Sequence, residues 1–110
     1  MKTRYLPKRL LEKFREVGFD CNDDKVSIEQ AQTWLKENLG MFVGFEQFLS
    51  HQPSGICVMY RYCVMRTNGT FISFWEGCYK SHESAVIAGI RKIVNEQYRF
   101  HCMVKPLSCT

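Results

Sequence analysis

The strongest constraint on the fold is the turn pair Asn68-Gly69, which lies between two runs rich in Val, Tyr, Phe, Ile and Trp. Both central positions of a type I′ turn need positive φ, and Asn followed by Gly is the pair that best accepts it. The flanking runs, residues 56–66 and 70–79, therefore predict two antiparallel strands closed by a two-residue turn. In this register Thr67 faces Thr70, and the pairing continues one residue at a time along both strands.

The predicted register sorts the side chains of this hairpin into two faces. One face carries Cys57, Met59, Arg61, Cys63, Met65, Ile72, Phe74, Glu76 and Cys78. The other carries Val58, Tyr60, Tyr62, Val64, Phe71, Trp75 and Tyr79. Arg61 lies opposite Glu76, and Tyr62 lies opposite Trp75. Neither face is polar, although an antiparallel sheet with helices on one side normally has one solvated face.

The ion pair decides which face should meet the helices. Burying Arg61 with Glu76 costs on the order of several kcal/mol in desolvation, which their attraction only partly returns. We therefore predict that the aromatic face packs on the helices and that the Cys/Met/Phe face looks outward. An exposed apolar surface of this kind predicts self-association or a protein partner. The candidate interaction residues are Met59, Arg61, Cys63, Met65, Ile72, Phe74 and Glu76.

Two alternatives for these faces stay open. The C-terminal tail or the first helix would cover the Cys/Met/Phe face and make it part of the interior. If instead the aromatic face is the exposed one, it resembles a stacking platform for single-stranded nucleic acid.

Two helices are predicted before the sheet. Pro7 suits the first turn of a helix, the apolar residues after it recur at helical spacing to residue 17, and Gly18 suits the end. Ser27 and Gln30 form a capping box that begins a second helix, and Gly40 ends it.

A strand and a third helix complete the order α-α-β-β-β-α. Alternating residues over 41–49 predict the first strand, and Ser81 caps a helix after the hairpin. The small residues Ala85, Ala88 and Gly89 allow that helix to lie close on a sheet. The predicted fold class is α+β, a three-stranded antiparallel meander with helices packed on one face.

The chain has 110 residues, the size of one domain. We predict that residues 1–98 form this domain and that the tail, 99–110, is an extra edge strand or disordered. No apolar run approaches the ~20 residues that span a bilayer, and no apolar stretch follows the basic N-terminal residues as in a secretory signal. The six cysteines are then reduced and act mostly as small hydrophobes in a cytoplasmic protein without membrane contact.

Positive charge is concentrated at the N-terminus. Residues 1–15 hold six basic side chains against Glu12 alone, within a net charge of +4. The basic residues are Lys2, Arg4, Lys8, Arg9, Lys13 and Arg15. They are candidate nucleic-acid contacts, because such a cluster attracts phosphate. The alternative is a solvated helix face.

No catalytic, metal or cofactor site is predicted. The three histidines are far apart in sequence and none has metal-ligand spacing. Cys78 and His82 could form a thiol–imidazole pair, but nothing supplies an orienting third group or an oxyanion hole. The seven glycines are dispersed, so no loop is suited to phosphate. We expect no enzymatic activity, and no small-molecule substrate is inferred.

Residues 27–97, in the order α-β-β-β-α, are similar to a double-stranded-RNA-binding domain. Ser81 and Ala85 fit the start of that family's recognition helix, while His82-Glu83-Ser84 stand where the family has lysines that hold phosphates. This resemblance implies RNA binding through the αβββα core.

A second resemblance covers roughly residues 5–95. The segments 10–19, 31–37, 79–85 and 88–90 resemble short uncharacterised α-α-β-β-β-α proteins of gut Bacteroidetes and their phages or mobile elements. The resemblance implies the fold and a mobile-element origin, and no activity. We therefore expect a small non-enzymatic accessory protein that acts by protein–protein contact. The alternative is a nucleic-acid-binding module that uses the basic N-terminal helix.

Overall fold

The computed structural model describes the backbone of residues 4–108 and the side chains of residues 4–99. Three strands form one antiparallel sheet in the order β1-β2-β3, and the α+β class and element order are confirmed. The elements are α1 (Lys8–Glu16), α2 (Ile28–Leu39), β1 (Met41–Gln52), β2 (Gly55–Arg66), β3 (Phe71–Tyr79) and α3 (His82–Ser108). Helix α3 continues through the predicted tail to Ser108, where an edge strand or disorder was expected. Residues 109–110 of that tail lie outside the described part.

The two N-terminal helices begin and end at the residues that the sequence indicates. Ser27 accepts a hydrogen bond from the Gln30 N–H at 3.1 Å, and the Gln30 side chain accepts one from the Ser27 N–H at 2.9 Å. Beyond α1, the ring of Phe19 folds back and stacks on Phe14 with 4.4 Å between centroids. The capping box and the end of the first helix are therefore confirmed.

The core lies between the helices and one side of the sheet. Helix α3 packs against all three strands, and α1 packs on α3. A Cβ atom added at Gly89 would overlap a methyl group of Val43 and would press on the ring of Tyr62. Because the glycine has no side chain, the helix axis comes close to β1 and β2, as the small residues in this stretch predict.

The aromatic face meets the helices only in part. Tyr62 and Val64 are buried in the core, and Tyr60 and Tyr79 pack against it, as predicted. Val58, near the far end of β2, is 47% exposed. Phe71 and Trp75, which were also assigned to this face, lie on the other side of the sheet because β3 pairs in a different register.

Strands β1 and β2 form a long, regular hairpin. They pair without interruption and are joined by Pro53-Ser54. Strand β1 ends at Gln52, three residues beyond the predicted end at Leu49. Pairing with β3 ends at Tyr60. The distal part of the hairpin, residues 49–58, is therefore a two-stranded arm, a structure that is marginal in water without further support.

The turn between β2 and β3 differs from the predicted type I′ turn. Gly69 has φ of 93°, but no described non-glycine residue has positive φ, so Asn68 is not left-handed. The Gly69 N–H donates to the Arg66 carbonyl at 3.0 Å, and the Arg66 N–H donates to the Thr70 carbonyl at 2.8 Å. This is a three-residue loop, a type I turn followed by a glycine bulge. Arg66, rather than Thr67, therefore faces Thr70.

The register of β3 shifts three more times. Successive pairs are Met65 with Phe71, Val64 with Ser73, Tyr62 with Glu76 and Tyr60 with Tyr79. Between each pair and the next, β3 advances one residue more than β2. Each extra residue is a β-bulge, which bends the strand and changes the side on which later residues point. The predicted pairs Arg61–Glu76 and Tyr62–Trp75 are therefore wrong. The ring of Tyr79 lies over Gly77.

The substitution Gly89→Ala tests the close approach of α3 to the sheet. Alanine favours the helix by about 1 kcal/mol, but overlap with a packed neighbour costs about 1–3 kcal/mol. We expect a net loss in the free energy of unfolding, measured by urea denaturation. In a Val43→Ala background the same substitution should cost less, because the overlapping methyl groups are absent. Equal costs in both backgrounds would contradict this contact.

Candidate protein-interaction surface

The side of the sheet that faces away from the helices carries a mostly apolar surface. All residues of β1 and β2 that pack into the core lie on the other side: Met41, Val43, Tyr60, Tyr62 and Val64. Because side chains alternate along a strand, the residues between them point outward. Phe71 joins this side by pairing with Met65, and the Trp75 ring lies beside Arg61. We call this surface the open face: Phe42, Glu46, Phe48, Met59, Arg61, Met65, Phe71 and Trp75.

Arg61 stands at the centre of the open face. Its guanidinium carbon lies 5.2 Å from the ring centre of Phe48 and 5.9 Å from that of Trp75. The same guanidinium forms an ion pair and a hydrogen bond with Glu46, its neighbour across β1 and β2. The Glu46 carboxylate compensates the charge of Arg61, and both flanking rings lie within cation–π distance of the guanidinium.

Cys63 is also on this side, but it is fully buried. Gly44 faces it across the strands, and a Cβ atom there would lie 3.0 Å from the Cys63 sulfur. The thiol fills the space that the glycine leaves, and burial raises its pKa. Cys63 therefore packs beneath the exposed side chains of the open face. It was predicted to contact a partner, but its side chain is not accessible to one.

Glu76 has moved to the helix side, which corrects the predicted interaction face. Its carboxylate accepts hydrogen bonds from Tyr62 and Ser73, both at 2.9 Å, and from Lys92 at 2.8 Å. These contacts, led by the one with Lys92, lower the pKa of Glu76. Burial and the bond to Glu76 raise the pKa of Tyr62 above its usual range, so this hydroxyl stays a donor. The cluster fastens β3 to α3.

Ile72 and Phe74 lie in the bulged part of β3, where regular alternation does not assign a side. Both line a surface hollow of about 450 Å³ between β3 and α3, with Lys92 among the other lining residues. Phe74 is 72% exposed and stacks on Phe71 with 5.1 Å between ring centres. Of the seven candidate interaction residues, Met59, Arg61 and Met65 are placed on the open face by the regular alternation of β2, and each is partly exposed.

Five members of the open face are not among the interaction residues predicted from the sequence. Phe42, Glu46 and Phe48 belong to β1, where only the alternation of the strand indicated their side. Phe71 and Trp75 were assigned to the helix side by the predicted register. The three-residue turn reverses Phe71, and the bulges between Met65 and Tyr62 reverse Trp75. Gly77, with φ of 83°, lies after both residues and coincides only with the last bulge.

The basic N-terminal residues do not act as one group. Arg4, Lys8 and Arg9 are exposed, whereas Lys13 donates to the Asn95 side chain at 3.1 Å. Arg15 donates to the carbonyl of Cys21 at 3.0 Å and to that of Asp23, so it holds the loop after α1. Lys2 lies outside the described residues.

Metal-ligand clusters, cysteines and long apolar helices were compared over the part of the chain that the structure describes. No three His, Cys, Asp or Glu side chains there come together as metal ligands. All four described cysteines are free thiols, and Cys57 and Cys78 are exposed. Within the same residues, no helix has the length and apolar character needed to cross a membrane.

Comparison of the chain with protein-family models, with curated proteins and with solved structures finds no match. The function is therefore inferred from the chemistry of this surface.

The Glu76 cluster predicts a specific dependence of stability on pH. A carboxylate whose pKa is lowered by folding stabilises the fold above its unfolded pKa, near 4.5, and this contribution is lost as the pH falls through the lowered value. We expect Glu76→Gln to reduce stability at pH 7 by about 1 kcal/mol, because the group is partly exposed.

The same variant should lose less stability than the wild type between pH 5 and pH 3, as measured by urea denaturation. Glu37→Gln, at an exposed position of α2, is the matched control and should follow the wild-type curve. Identical curves for Glu76→Gln and the wild type would contradict the role of this cluster.

Proposed function

We propose that the chain is a non-enzymatic accessory protein of a phage or mobile element that acts by binding another protein through the open face of its sheet. The mobile-element origin is supported by the resemblance of its segments to such proteins. The binding role is supported by the residue types on the open face and by their partial exposure.

The composition of the open face carries the proposal. Trp, Phe, Met and Arg are enriched in protein interfaces relative to the rest of a protein surface, and Trp and Arg are frequent among the residues that dominate binding energy. Here Trp75 and Arg61 adjoin at the centre, with Phe48 on the other side of the guanidinium. Around them Met59 and Met65 supply side chains that adapt to a partner. This arrangement fits an aromatic and apolar protein surface with one complementary polar group.

The charge of the open face favours protein over nucleic acid. Its central guanidinium is paired with Glu46, and the carboxylate would repel a phosphate backbone. Platforms that stack nucleic-acid bases combine their aromatic residues with a positively charged groove. The cations best suited to phosphate, Arg4, Lys8 and Arg9, belong to α1 and the residues before it.

Capture experiments with matched variants test the proposed binding role. The immobilised chain is exposed to host-cell lysate, and bound proteins are quantified by mass spectrometry. We expect Trp75→Ala to reduce the recovery of at least one bound protein by about tenfold or more, because central aromatic residues dominate interface energetics. Tyr5→Ala, which removes an aromatic residue that is 44% exposed and lies outside the open face, is the control and should leave recovery unchanged. Equal recovery with both variants would contradict the proposal.

Fluorescence anisotropy separates this function from the nucleic-acid alternative. Duplex RNA, duplex DNA and single strands are titrated at two salt concentrations. Binding through phosphate contacts must weaken steeply with salt and must be lost when Lys8 and Arg9 are replaced by Ala. We expect no such salt-dependent binding. Its presence would replace the proposed function with a nucleic-acid-binding one.

A further inference from the structure

The two edges of the sheet differ in how they resist pairing with another strand. Edge strands in proteins are normally protected by bulges, short length, proline or lysine. Strand β3 carries three bulges. Strand β1 is twelve residues long, has no bulge in its pairing with β2, and contains no Pro, Lys or Arg. The β1 edge is therefore the one that is open to another strand.

A side chain of α2 closes the first part of this edge. The Val43 N–H donates to the amide oxygen of Gln32 at 2.9 Å, and the Val43 carbonyl accepts from the amide nitrogen of Gln32 at 2.7 Å. The glutamine amide thus makes the two hydrogen bonds that a neighbouring strand would make. It also shows that the backbone groups of Val43 point away from β2.

The alternation of hydrogen bonds identifies which groups on the edge are free. Since the β1–β2 register is unbroken, every second residue after Val43 directs its N–H and C=O away from β2. These residues are Phe45, Gln47 and Leu49, and all three are exposed. Among the described residues, no hydrogen bond satisfies their outward backbone groups. The free edge of β1 is thus a row of alternating donors and acceptors without a partner in the chain.

We propose that this edge, Phe45–Leu49, pairs antiparallel with the same edge of a second copy of the chain. Gln47 lies opposite Gln47 of the second copy on a two-fold axis, and Phe45 lies opposite Leu49 of the second copy. The two three-stranded sheets join into one sheet of six strands. Gln32 of each copy ends the shared ladder, because it already occupies the edge at Val43.

Three features of the edge fit a second copy rather than an unrelated strand. An antiparallel edge is self-complementary about a two-fold axis, so the same residues supply both sides. Glu46, the one acidic residue in β1, faces Phe48 of the second copy rather than another carboxylate. Leu49, which is 63% exposed, comes beside Phe45 of the second copy, which is 47% exposed.

The second copy also supports the arm. Next to the β1 edge lies a hollow of about 630 Å³ whose lining includes Ile28, Phe45 and Val86. In the proposed register, the arm of one copy enters the region of this hollow in the other. A two-stranded arm that is marginal alone becomes part of a wide sheet.

The substitution Gln47→Pro tests the pairing directly. Proline has no N–H, and in an edge strand whose N–H faces solvent it is tolerated. We expect it to raise the dimer dissociation constant at least tenfold in sedimentation velocity, because two hydrogen bonds at the axis are lost. Gln47→Ala keeps the N–H and is the matched control, which should remain dimeric. Circular dichroism confirms that each variant is folded.

Amide hydrogen exchange of the wild-type chain tests the same register without a substitution. As protein concentration increases, exchange at Phe45, Gln47 and Leu49 should slow, while Glu46 and Phe48, whose N–H groups face β2, should stay protected throughout. This alternation is specific to the β1 edge. A wild-type chain that is monomeric at all concentrations would overturn the proposal, and so would a dimer without this pattern.

Self-association through the open face is a separate outcome. A dimer that Trp75→Ala dissociates and Gln47→Pro leaves intact would overturn the edge pairing and would assign the open face to a second copy. A dimer that Gln47→Pro dissociates and Trp75→Ala leaves intact supports the edge pairing, whatever protein the open face binds.

Discussion

The close contact between α3 and the sheet at Gly89 determines the two sides of this molecule. The helix backbone lies where a side chain would overlap Val43, so one side of β1 and β2 is buried against α3. Because side chains alternate in a strand, this contact also determines which residues face away. The open face, with Arg61 between aromatic rings, is the necessary counterpart of the buried side.

Strand β3, like any strand, has residues on both sides of the sheet, and its extra residues decide which ones these are. With the bulges between Met65 and Tyr62, Glu76 faces Lys92 on the helix side and Trp75 reaches Arg61 on the open face. A regular strand in the predicted register would have placed Glu76 on the open face and Trp75 on the helix side. The ion pair that anchors β3 to α3 and the contact of Trp75 with Arg61 on the open face therefore come from adjacent residues, and the bulges also protect this edge of the sheet from pairing.

Local signals in the sequence were sufficient for the helices and the element order, and non-local contacts account for what was missed. The capping box at Ser27 and the small residues before Gly89 act within one element. The turn at Asn68 does not: the N–H of Thr67 donates to the Gly40 carbonyl at 2.9 Å, a contact with the end of α2 that accompanies the longer loop. Met59, Arg61 and Met65 were assigned correctly because β2 alternates regularly. Trp75 was misassigned because the bulged register of β3 accompanies a non-local contact, that of Glu76 with Lys92 of α3.

The edge and the open face have geometrically independent roles. In an antiparallel pairing about a two-fold axis perpendicular to the sheet, the helices of both copies lie on the same side, so both open faces remain on the other. Joining at Gln47 therefore doubles the open face instead of covering it. Two weak contacts with a repetitive or symmetric partner would then act together, because the second contact becomes intramolecular once the first has formed. In an isolated monomer, an unprotected edge beside an apolar face favours aggregation. In a dimer paired through that edge, two copies of the face lie side by side.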